Sequence, residues 1–203
     1  MNKSTARGFT LIELLIVIGI LAILATVTLL VLNPAQMFAQ ARDSQRISDL
    51  NTIKSAISLY LSTATTPLLG TGSSGGDCET KFWGTIGTSS SPTWLGGAKS
   101  FQGADATTTV GTTGWIPIDL ASTAGGSPIS ALPLDPSNVS GTSNSSVVTA
   151  YYYACSTTQM TFKLVGNMES SRYATAGPDD KESTDGGMAP WLYETGTNLG
   201  ASL

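Results

Sequence analysis

The chain has no histidine anywhere in its 203 residues. That removes the side chain most often used as a general base near neutral pH, and the commonest metal ligand. Charge is sparse too: Asp, Glu, Lys and Arg make up 12% of the residues, with 10 basic against 14 acidic and a net charge of −4. A chain with that balance is not built to grip nucleic acid by neutralising phosphates. No Gly-rich phosphate cradle followed by Lys and Ser/Thr occurs, and without His no nucleophile–base pair can be nominated. Cysteine is limited to two residues, Cys78 and Cys155. No internal repeat is found. These absences weigh against an enzyme and against a nucleic-acid binder, and leave a structural or binding role.

What is present is concentrated at the N-terminus. Lys3 and Arg7 precede Gly8, and an apolar run starts at once with Phe9 and continues to Leu32. That is roughly 24 residues, where about 20 suffice to cross a bilayer. One carboxylate, Glu13, lies inside the run. A charged residue at the centre of a spanning helix costs about 2.5–3.5 kcal/mol, and ionisable groups in such segments mark function. Glu13 is near one end, where the cost is lower, yet it still needs a compensating partner. A secretory signal peptide is a poor alternative, because the run exceeds an h-region and no A-x-A-like site follows it. A plain membrane anchor accounts for the length but not for Glu13 or the Gly8–Phe9 junction. A buried helix of a soluble domain would not be so apolar on all sides.

Asn33-Pro34 interrupts this pattern, since proline inside a helix removes a hydrogen bond and kinks or breaks it. Helical periodicity resumes immediately. Ile47, Leu50, Ile53, Ile57, Tyr60 and Leu61 form one apolar face, and Ser48, Asn51, Thr52, Ser55 and Ser58 the opposite one. Asp43–Arg46 and Arg46–Asp49 are spaced to pair on a helix surface, for a few tenths of a kcal/mol each. The pattern predicts one long helix over 9–62, bent near Pro34 and about 80 Å long if unbroken.

From Thr63 the composition shifts to Gly, Ser, Thr and Pro. Phe82, Trp83, Trp94, Phe101 and Trp115 are interleaved with the turn signals, so the region has apolar area to bury and reads as ordered but irregular. Trp115–Ile118 is predicted as a short edge strand, because Pro117 argues against a central one. Leu132-Pro133-Leu134-Asp135-Pro136-Ser137-Asn138 is a turn. Val147–Cys155 and Met160–Asn167 read as strands joined by a four-residue hairpin loop, Ser156–Gln159. In the second of these, Thr161, Lys163 and Val165 share one face, Phe162 and Leu164 the other. A third strand is expected near Trp191–Glu194.

Arg7-Gly8-Phe9-Thr10-Leu11-Ile12-Glu13-Leu14-Leu15 resembles the processing and assembly motif of type IV pilins and the related pseudopilins of type II secretion. The resemblance covers roughly the first 30 residues and is specific, because basic leader, Gly, Phe, a fixed gap and Glu must occur in order. Ala41-Arg42-Asp43-Ser44-Gln45-Arg46 with Asp49-Leu50, and Leu132–Asn138, are also similar to patterns in pilin-like proteins. The resemblance implies an α+β fold in four parts: a basic leader over 1–8, an apolar membrane and filament-core helix over 9–32, its amphipathic continuation over 33–62, and a head over 63–203 with a small antiparallel β-sheet and a long irregular connection. It implies cleavage between Gly8 and Phe9 by a prepilin peptidase and methylation of the Phe9 amine. Glu13 is then implied to pair with the Phe9 amine of a neighbouring copy. The partners implied are further copies in a helical filament, the membrane, and pilus or secretion machinery. The chain would start in the cytoplasmic membrane and end in an extracellular filament.

Two expectations concern the head. If it is exported, Cys78 and Cys155 form one disulfide, worth roughly 4 kcal/mol in the chain-entropy model; two buried free thiols are the alternative. Asp179, Asp180, Glu182 and Asp185 cluster in a loop-rich stretch. Some pseudopilins carry calcium in this part of the head, which makes Asp179, Asp180 and Asp185 candidate ligands. The spacing is not that of an EF-hand, and a solvated acidic loop is the alternative.

Overall fold

A computed structural model describes residues 8–71, 77–86, 99–104, 107–138 and 149–200. The leader residues 1–7, Trp94 and the beginning of the Val147–Cys155 segment lie outside them. The chain divides into two compact units, Met1–Phe38 and Ala39–Leu203.

Helix α1 runs from Leu11 to Leu32 and helix α2 from Pro34 to Thr63. The break falls on Asn33, which adopts a left-handed conformation (φ 38°, ψ 74°) as the C-cap of α1. Asn is one of the few residues that tolerate this conformation. Pro34 then occupies the first position of α2, where a missing N–H costs nothing. The Asn33 carbonyl accepts from Gln36 N (3.0 Å) and Met37 N (3.3 Å), which closes the new first turn. By its rise α1 is about 33 Å long, enough to cross a bilayer by length and composition. Among the described residues its large apolar side chains are exposed. Its hydroxyls turn inward: Thr26 donates to the Ala22 carbonyl (2.8 Å) and Thr28 to that of Ala25 (2.9 Å). The helix thus leaves these polar groups satisfied internally, as lipid demands.

In the second unit, α2 lays its apolar face on a sheet of five strands among the described residues: β1 (Lys81–Gly84), β2 (Ser100–Ala104), β3 (Tyr152–Ser156), β4 (Thr161–Gly166) and β5 (Tyr193–Gly196). Their order is β2-β1-β3-β4-β5. Three pairings are antiparallel, as expected of this sheet, and β1 and β2 add one parallel pairing. The strand alternation sorts side chains into two cores. Trp83, Tyr153, Cys155, Phe162 and Leu164 face Leu50, Ile53, Ile57 and Tyr60 of α2, together with Trp115, Ile116 and Leu132. Phe82, Tyr152, Ala154 and Val165 face the other way, toward Ala150 and Ala189. On that second side Lys163 and Glu194 make a buried ion pair at 3.0 Å. The α2 approach is close. A side chain on Gly166 would start 3.1 Å from Leu50 Cδ1.

The expected strands appear with shifted ends. The hairpin turn lies at Thr157–Met160, with Met160 at positive φ, and β3 pairs Ser156 with Thr161. Trp115–Ile118 is not a strand. Trp115 sinks instead into the core, its indole N–H donating to the Pro133 carbonyl (3.1 Å), and Pro117 has no donor for a ladder. β1 and β2 were not foreseen.

Candidate functional site

Gly8 and Phe9 are exposed and precede the helix. Thr10 is its N-cap, in extended conformation (φ −83°, ψ 152°). Glu13, three residues on, completes a capping box. Its Oε2 accepts from Thr10 N (2.9 Å) and Thr10 Oγ1 (2.7 Å), and Glu13 N donates to Thr10 Oγ1 (3.3 Å). The carboxylate is therefore folded back over the start of α1, where the helix dipole favours negative charge. Gly8, Phe9 and Glu13 are brought into one short stretch: an exposed junction, then a fixed acid at the head of an apolar helix. An amine created at Phe9 would be a cation next to that acid.

Cys78 and Cys155 are bridged, joining the turn before β1 to β3 across 77 residues of sequence. The acidic stretch is held by basic side chains and by backbone amides. Asp179 contacts Lys181 Nζ (2.8 Å) and Arg172 Nε (3.6 Å). Asp180 accepts from the N–H groups of Ala176, Glu182 and Ser183, and from the Ser183 hydroxyl at 2.6 Å. The Ser183 hydroxyl and these amides hold its carboxyl down at about 2. Asp185 accepts from Gly187 N (2.7 Å) and Glu194 N (2.5 Å). Among the described residues no three His, Cys, Asp or Glu side chains are placed to hold a metal ion. Asp180 and Asp185 are engaged by backbone amides and Asp179 by basic side chains.

The sequence reading missed a buried polar cluster around Arg46. Arg46 does not pair on the helix surface; it and Asp43 are fully buried. Its Nε and Nη2 grip Asp135 side-on (2.7 and 2.8 Å), Nη1 reaches Asp43 (2.8 Å), and Nη2 also meets Ser137 (3.2 Å) and Glu169. Arg42 adds a second cation to Glu169 (2.9 Å from Nε). Asp43 accepts from the N–H groups of Glu169 (2.9 Å) and Ser170 (2.8 Å). Burial pushes the Glu169 carboxyl up, but Arg42, Ser137 and Arg46 outweigh it and hold it at about 2. Burial lowers the Arg46 pKa, and its carboxylate partners, Asp135 first, more than restore it. Among the described residues Asp49 pairs with no arginine; it accepts from the Tyr151 hydroxyl at 3.0 Å. The only sequence signal was that Arg46 and Asp135 each sat in a pattern that stood out.

No curated protein and no solved structure matches the chain. Residues 3–29 match the family model described as the prokaryotic N-terminal methylation motif. The chain therefore carries the methylation motif typical of type IV pilin and pseudopilin precursors.

Proposed function

We propose that this protein is a structural subunit of a type IV pilus-like or secretion-pseudopilus filament. The observation that carries the reading is Glu13, a capped carboxylate at the head of a membrane-length apolar helix whose described large side chains are exposed. A prepilin peptidase cuts between Gly8 and Phe9, at an exposed junction outside regular structure. The new Phe9 amine is methylated. The subunit waits in the cytoplasmic membrane on α1 and is then extracted into a helical filament at the cell surface. There α1 exchanges lipid for the α1 helices of other copies, and Glu13 pairs with the Phe9 amine of a neighbour. Taken out of water, such a pair is favourable only if both charges are present and close. Contacts that repeat head-to-tail without closing generate a filament. The role is structural, not enzymatic. Mass spectrometry of the mature protein tests the processing step. The expected chain begins at Phe9 with a methylated amine; a mature N-terminus at Met1 contradicts the reading.

A further inference from the structure

The turn Asp77–Thr80, just before β1, is gripped from two other strands. Cys78 is bridged to Cys155 on β3. Lys99, the residue before β2, is 4% exposed. Its Nζ donates to the backbone carbonyl of Cys78 and, at 3.0 Å, to that of Cys155. Ser100 N and Oγ both donate to the Thr80 carbonyl (2.7 and 3.2 Å). An ammonium this deep is tolerated only where acceptors take its hydrogens, and two of those acceptors belong to the two bridged cysteines. Burial lowers the Lys99 pKa and the nearby Glu79 carboxylate raises it. β2 itself is short, pairs only with β1 among the described strands, and does so in parallel with an irregular register between Phe82 and Gly84. Parallel pairing is the slightly weaker kind.

We propose that the Cys78–Cys155 bridge and Lys99 together form a redox-sensitive lock on this edge of the sheet. With the bridge closed, the two cysteine carbonyls stand as one acceptor pair. Lys99 is seated between them and holds β2 over the β1 edge. Reduction by a dithiol or phosphine breaks the S–S bond and forms two thiols, taking up two electrons and two protons. The turn keeps the Glu79 hydrogen bonds to Ser156, Thr157 and Thr158 but loses its covalent tie to β3, so the acceptor pair loosens and Lys99 holds β2 less tightly. The Phe82–Phe101 ring contact, 5.2 Å between centroids, continues to hold the strand, so β2 loosens and does not detach. A loosened β2 uncovers the N–H and C=O groups of β1, a ready template for another chain. An oxidising compartment keeps the bridge closed, so the lock shields the sheet edge of the exported head.

Amide hydrogen exchange on the full-length protein tests this. Three samples are compared: oxidised, reduced with tris(2-carboxyethyl)phosphine, and an oxidised Lys99→Met variant. The expected result is exchange about tenfold faster across Ser100–Ala104 in the second and third samples, the equivalent of one lost hydrogen bond, with β4 unchanged in the variant. If reduction loosens the whole head, the oxidised variant decides alone. Unchanged β2 exchange in Lys99→Met overturns the proposal. So does unchanged exchange after reduction with both thiols shown to be free. Neither outcome touches the filament reading, which rests on α1.

Discussion

Arg46 lies where its removal leaves the most unpaired charge. Asp135 and Asp43 are buried beside it, and Glu169 is mostly so. Breaking a buried ion pair from one side costs about 3–5 kcal/mol. Arg46→Ala is expected to destabilise the head by that amount, measured by denaturant unfolding. Arg42→Ala, whose side chain is 38% exposed, should cost under about 1 kcal/mol, as partly exposed ion pairs do. Glu169 sets an acid dependence. Its carboxyl ordinarily titrates near 4.5 and is held at about 2 in the folded head. Above 4.5 it is ionised in both folded and unfolded chains, and its contribution is complete. As pH falls from 4.5, the unfolded chain takes up the proton first and stability declines; the contribution is gone once pH passes below about 2. Melting temperature followed through that window should fall, and Glu169→Gln should flatten the slope. Identical slopes would remove Glu169 from the account.

At the scale of elements, the head depends on α2 meeting the sheet closely. Leu50 is fully buried against β4, next to Gly166. Leu50→Ala is expected to cost about 2–5 kcal/mol, again by denaturant unfolding. Elements whose cause is local could be read from sequence. The apolar length of α1, the lone Glu13 and the Asn33-Pro34 break are short-range signals, and all three mark features of the fold. The β3–β4 hairpin was legible for the same reason: two β-rich runs with a four-residue gap. β1 was not, because four residues, Lys81–Gly84, carry too little pattern to stand out from turn-rich flanks. β2 owes its existence to a parallel partner across a long connection, which periodicity does not encode. The Arg46 cluster failed for a related reason. Its spacing to Asp43 invited a surface pair, whereas its other acids lie 89 and 123 residues away. Only folding makes those neighbours.

For the whole molecule, the proposed filament gives the head the part of a stable body and α1 the part that joins copies. Glu13→Ala is expected to leave membrane insertion intact, since it removes a charge from the apolar helix, and to reduce filament number at least severalfold by electron microscopy. Normal filaments from that variant would take the pairing role away from Glu13. The most direct test of that role is zero-length carbodiimide cross-linking of filaments grown from a mixture of isotopically light and heavy copies, with the linked peptides identified by mass spectrometry. An amide between the Phe9 amine of one isotopic copy and the Glu13 carboxylate of the other is the expected product. Links confined to single copies, or none at all in intact filaments, would contradict it.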